Sequence, residues 1–145
     1  VELNIVRSFF MLKHESRIGK LNAPAANVYH TISDLSRLEH ITPPDDKMKV
    51  VHADADSCKF AMGSNGEFGM RIIERKENDT VKITSDESVP FTFYLWIQLK
   101  EVAEADTRVR VTLHADLNPM LKMVAKKPLT QFVDQLVDKL EASFN

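Results

Sequence analysis

The order and spacing of apolar residues predict an α+β protein. The expected architecture is a curved antiparallel sheet of six to seven strands wrapped around a long C-terminal helix, with two short helices after the first strand. Three observations carry this. Apolar residues recur every three or four positions near residues 24–41 and again over 118–143. Between these stretches, six runs alternate apolar and polar side chains with period two. Five of the six prolines fall at the borders of these segments, and only Pro128 sits inside one.

Taken in order, residues 15–22 form a weakly patterned first strand ending at Asn22. Pro24 suits the first turn of a helix, where its missing N–H would have lacked a partner anyway. Val28, Ile32, Leu35 and Ile41, with Tyr29 and Leu38, extend the helical pattern, and Ser33-Asp34 in its middle marks the start of a second short helix. Pro43-Pro44-Asp45-Asp46 ends it in a turn.

The period then changes to two. Met48, Val50 and His52 alternate with lysine and valine, and Cys58, Phe60 and Met62 repeat the pattern. Phe68, Met70 and Ile72 follow, then Val81 and Ile83. The cleanest runs are Phe91–Leu99 and Val109–Ala115. Ala53–Asp56, Gly63–Gly66, Asn78-Asp79, Glu87–Pro90 and Ala103–Asp106 supply the turns of an antiparallel meander. Such alternation implies one buried face and one wet face. In the last segment Asn118-Pro119 is a cap followed by proline at the first helical position. Leu129, Phe132, Val133, Leu136, Val137 and Leu140 make an apolar stripe along a rod roughly 39 Å long, which Pro128 should kink. That stripe must be buried against the sheet.

With 145 residues, the chain has the length of one domain, and 43% hydrophobic content suffices for a core. Residues 1–13 read as an extension, loosely ordered unless Ile5, Val6, Phe9 and Phe10 pack on the domain or on a second copy. Residues 14–145 form the domain. Nineteen basic against 21 acidic residues leave a net charge of −2, which argues against nucleic acid as partner. The single cysteine, Cys58, permits no intrachain disulfide and no cysteine-rich zinc module. No apolar run has the roughly 18 residues that span a bilayer, so stable membrane insertion is not expected. A cytoplasmic protein is.

A twisted sheet and a straight rod do not fit flush, so a gap between them is expected. From the sheet, Phe60, Met62, Phe68, Met70, Ile72, Phe91, Phe93 and Leu95 should face it. From the helix, Met120, Met123, Val124, Phe132 and Leu136 should do the same. A wall of this kind favours an apolar guest, at about 25 cal/mol per Å² of apolar surface removed from water, and methionine adapts to varied shapes. The alternative is that these side chains fill the space as solid core.

This order of elements resembles the helix-grip fold of START-like, or SRPBCC, proteins, among them the birch pollen allergen, polyketide cyclase/dehydratases and lipid-transfer domains. The residues that carry the resemblance are the entry Asn22-Ala23-Pro24-Ala25-Ala26-Asn27-Val28-Tyr29, the helix pair ending Ser33-Asp34-Leu35-Ser36-Arg37-Leu38-Glu39, the hairpin Gly63-Ser64-Asn65-Gly66-Glu67-Phe68-Gly69, and the closing helix from Asn118. It covers residues 14–144, and the chain looks like the small stand-alone bacterial members. The resemblance implies an internal pocket for a lipid, sterol, quinone or polyketide-like molecule. It also implies two alternatives: a cyclase, dehydratase or hydrolase using the same cavity, and an interaction module like the Hsp90-activator domains.

For chemistry in that pocket the candidates are few. His52 could act as base or anchor a hydroxyl if Met48 and Val50 point inward; otherwise it is hydrogen-bonded or solvated near a strand end. Tyr29 could offer its hydroxyl to a guest, or simply pack. His14, His30, His40, His52 and His114 lack metal-ligand spacing, Cys58 reads as a buried inert thiol, and Gly63, Gly66 and Gly69 are not a phosphate loop. No catalytic set, metal or cofactor is expected. On the outer face, Tyr94 and Trp96 lie beside Arg108, Arg110 and His114, either as arginine-on-tryptophan stacking or as a homodimer or partner surface. Lys122, Lys126 and Lys127 form a solvated helix face or attract an anionic head group.

Overall fold

The computed structural model describes residues 11–41, 49–61 and 66–145. Expectations for Ile5, Val6, Phe9 and Phe10, for the Pro43–Asp46 turn, and for Met48, Met62 and Gly63–Asn65 lie outside the described residues.

The chain opens with β1 (Met11–Glu15) and β2 (Gly19–Leu21), followed by α1 (Ala25–Ile32) and α2 (Leu35–Ile41). The meander runs through β3 (Lys49–Ala53), β4 (Ser57–Ala61), β5 (Glu67–Lys76), β6 (Thr80–Ser85), β7 (Phe93–Ala103) and β8 (Asp106–Asp116), and closes with α3 (Pro119–Ser143). One antiparallel sheet has the order β1-β8-β7-β6-β5-β4-β3, with β2 also paired to β8. The expected α+β architecture, with two short helices and a long final one, is therefore present. Among the described residues no helix is long and apolar enough to cross a membrane.

The first strand starts earlier than its pattern suggests and is broken, so that Met11–Lys13 already pair in the sheet. Ser16 makes the break: its N–H donates to the Val111 carbonyl at 2.8 Å, and its hydroxyl accepts the Val111 N–H at 2.9 Å. A side chain thus replaces one rung of the ladder. Pro24 caps α1, whose free Ala25 N–H donates to Glu101 Oε1 at 2.7 Å. Asp34 starts α2, its Oδ1 accepting the Ser36 N–H at 2.9 Å. Asn118 caps α3 by accepting the Leu121 N–H at 2.8 Å, and the helix continues unbroken through Pro128.

The core sits between the C-terminal half of α3 and the inner faces of β7 and β8. Leu95, Ile97, Val109, Val111, Leu113 and Ala115 alternate inward and are buried, as are Leu129, Val133, Leu136, Val137 and Leu140 from the helix. The helix rests on β8, β2 and β1 and touches α2. Gly19 permits a close approach: a side-chain carbon there would lie 2.7 Å from Val137 Cγ1 and 3.0 Å from Val109 Cγ1. Polar clasps hold the same end. Arg17 donates to Asp138 at 2.6 Å and also bonds Glu141, while Glu141 Oε2 accepts the Lys20 N–H at 2.9 Å. His14 meets Asp134 at 3.0 Å.

Among the described residues, three strands carry register shifts, at Val50/His52, Ile72/Glu74 and Glu101/Ala103. Each inserts an extra residue and turns the side chains beyond it to the other face.

Candidate functional site

Strand register decides which sequence-selected residues meet. Phe60 pairs with Phe68 and Cys58 with Met70 across β4 and β5. Ile72 pairs with Ile83, and Ile83 with Leu95, carrying the same face to β7. Phe60, Phe68, Met70, Ile72, Phe93 and Leu95 therefore belong to one inner surface. Phe68 and Phe93 stack with centroids 5.5 Å apart and rings 9° from parallel, and Phe91 tilts against Phe93 at 6.3 Å. Ser85 lies alongside, its Oγ accepting the Phe93 N–H at 3.1 Å. Phe60, Met70, Ile72, Phe93, Leu95 and Leu136 are buried, whereas Phe68, Phe91 and Tyr29 are only partly covered and pack against the hydrophobic core. Cys58 adds a neutral thiol, pushed up to about 11 by burial and by the Glu39 and Asp54 charges.

Four helix residues expected in this wall are elsewhere. Met120, Met123 and Val124 are 77%, 87% and 68% exposed, and Phe132 is 38% exposed. In the N-terminal half of α3, Leu121 and Ala125 pack against the core, so the apolar residues between them turn to water. Apolar character by itself points a side chain inward, but the helix has more apolar residues here than its packed face can hold.

His52 takes the solvated, hydrogen-bonded place rather than one in the wall. Val50 pairs with Phe60, but after the extra residue His52 pairs with Lys59, on the face opposite Phe60. It is exposed, with Nε2 2.7 Å from Asp54 Oδ2. Asp54 Oδ1 accepts the Asp56 and Ser57 N–H groups, each at 2.8 Å. These bonds, that of His52 foremost, hold the Asp54 carboxyl at about 2. The arrangement staples the β3–β4 turn.

The outer surface of the same strands bears a cleft of about 300 Å³ lined by His52, Ser57, Lys59, Arg71, Asp86 and Glu87, with edges of Cys58 and Met70. It is mixed in charge. Asp86 sits directly on Gly69, where a side-chain carbon would come within 1.7 Å of its Oδ2. Asp86 Oδ1 accepts the Ser88 N–H at 2.8 Å and the Ser88 hydroxyl. Burial opposes its charge, but these bonds and the nearby Lys59 and Arg71 hold its carboxyl below the usual range.

Sequence reasoning missed Arg75. Beyond the shift at Ile72/Glu74 it donates to the Ser33 carbonyl through Nε and to the Ala55 carbonyl through Nη2, each at 3.0 Å, and it reaches Asp56 at 2.8 Å. It locks β5 to the α1–α2 corner and the β3–β4 turn. No periodicity signals such a role. Outer-face stacking is also differently made. Lys82 Nζ lies 4.8 Å from the Tyr94 ring and 5.1 Å from the Trp96 ring, and His114 meets Trp96 edge-on at 4.8 Å. Arg108 and Arg110 pair instead with Asp106 and Glu15.

Residues 21–141 match the family described as polyketide cyclase / dehydrase and lipid transport. The chain belongs to that family. The match spans the helix pair, the meander and most of α3, which is the START-like, SRPBCC arrangement. Solved structures share the fold. A START superfamily protein from Mycobacterium smegmatis is 16% identical, with 92% of this chain and 96% of that one covered and a TM-score of 0.62. Norcoclaurine synthase from Thalictrum flavum is 11% identical over 97% and 93%, with a TM-score of 0.64. The di-domain ARO/CYC BexL from the BE-7585A biosynthetic pathway is 16% identical over 91% of this chain and 45% of that one, with a TM-score of 0.65. No curated protein sequence matches the chain.

Proposed function

We propose that this family member holds a hydrophobic small molecule of the lipid, quinone, sterol or polyketide-like kind between the sheet and the C-terminal helix. The observation that carries the reading is the aromatic wall. Phe68 and Phe91 remain only partly covered where they adjoin Phe93, while the β7–β8 end of the core is closed. Partly covered aromatic carbon gains from any apolar group laid upon it. A guest burying about 200 Å² of apolar surface would gain roughly 5 kcal/mol before the cost of immobilising it. Met70 beside the stack can adapt to guests of different outline. Tyr29, partly covered and packed against the core from α1, offers a hydroxyl for orientation. The family's description includes lipid transport, and the norcoclaurine synthase structure holds dopamine and hydroxybenzaldehyde, aromatic molecules on the same fold.

Native mass spectrometry of the purified protein, as isolated and after incubation with oleate or a naphthoquinone, tests this. The expected result is a retained apolar mass on the wild type and its loss in Met70→Trp, with melting temperature confirming that the variant folds. Wild type without any guest, or undiminished uptake by Met70→Trp, overturns the proposal. A guest that returns changed in mass moves the reading to a cyclase- or dehydratase-like enzyme.

A further inference from the structure

The N-terminal half of α3 has a charge arrangement that helix stability does not explain. Helix N-termini favour acidic residues and C-termini basic ones, because the backbone dipole is positive at the start. Here the order is reversed. The first turn has no acidic residue, Lys122, Lys126 and Lys127 follow, and no Asp or Glu occurs between residues 117 and 133. Asp134, Asp138 and Glu141 occupy the other half, where His14, Arg17 and the Lys20 N–H account for them. Among the described residues no carboxylate pairs with any of the three lysines. Met120, Met123 and Val124 project from the same segment and are the three most exposed large apolar side chains among the described residues. Pro119, Lys122, Met123, Lys126, Lys127 and Thr130 border a shallow groove of about 630 Å³.

Unpaired cations with protruding, flexible apolar tips between them match the two layers of a membrane surface. Ammonium groups meet anionic head groups, while methionine side chains enter the head-group and acyl boundary. A phosphate backbone would use the cations but not the methionines. From this juxtaposition we infer that residues 119–130 are a docking face for an anionic lipid bilayer, on which the helix lies without crossing. The inference goes beyond guest binding and does not depend on it, because docking is measured with no guest added.

The test is co-sedimentation of the full chain with phosphatidylcholine vesicles, with and without phosphatidylserine. Wild type should bind the phosphatidylserine vesicles and leave them as salt rises. At about 1 kcal/mol per lysine near an anionic surface, Lys122→Gln, Lys126→Gln and Lys127→Gln together should lower partitioning by about a hundredfold. Met120→Ser with Met123→Ser should weaken binding at every salt concentration, with unchanged melting temperature. Failure of wild type to bind, equal binding to both vesicle types, or binding indifferent to the methionine changes overturns the assignment. So does a wild-type dimer in sedimentation velocity that Met123→Ser abolishes, because a second copy would then cover the face.

Discussion

Asp86 and Gly69 form a pair in which the absence of a side chain matters as much as the presence of one. The carboxylate occupies the position of the missing Cβ and is fixed there by Ser88 and Lys59. Gly69→Ala must expel it, at a cost on the order of 1–2 kcal/mol. In an Asp86→Ala background the same change should be neutral or stabilising, because alanine suits a strand better than glycine. Urea denaturation of the four proteins in this cycle reads the difference, and equal costs in both backgrounds would refute the explanation. His52 shows how little of such detail reaches the sequence. Its alternation with Val50 is correct as spacing, and one extra residue at Val51 reverses its face.

In α3, one element has two different halves. Leu140 is fully buried, so Leu140→Ala should cost about 2–5 kcal/mol by cavity formation. Met123→Ala should stay within about 0.5 kcal/mol, since its side chain meets mostly water. Thermal unfolding of both variants checks the contrast. The clasp on the buried half depends on pH. Arg17 and the Lys20 N–H bring the Glu141 carboxyl from 4.5 to about 2 in the folded protein. A folded value below the unfolded one gives a contribution fully present above the unfolded value and lost as pH falls through the folded one. Melting temperature should therefore decline between about pH 5 and 2 less steeply in Glu141→Gln than in wild type. Identical slopes would assign the decline to other groups. The stripe Leu129, Val133, Leu136, Val137 and Leu140 was legible because its spacing matches the helical repeat. The outward turn of Met120, Met123 and Val124 was not, since hydrophobicity alone cannot say which of several apolar flanks meets the sheet.

At the scale of the molecule, topology was the most legible property. β7 and β8 alternate without interruption over most of their length, and caps at Asn118 and Asp34 marked helix starts by their own chemistry. The inner wall could be read as far as register stayed regular, from Phe60 through Met70 to Leu95. It could not be read past the inserted residues, nor could Arg75's contacts be anticipated, because these bring together segments far apart in the chain. One contact also has a mechanical meaning. Where α3 bears on Gly19, Val137 occupies the space a side chain there would need, and the salt-linked clasps surround that point. From Val137 to Pro119 the rod extends about 27 Å. With its fulcrum there, a tilt of only about 5° would carry the far tip roughly 2 Å while the anchored end stayed put. Leverage of this kind concentrates any opening at the lysine- and methionine-bearing tip and spares the packed base.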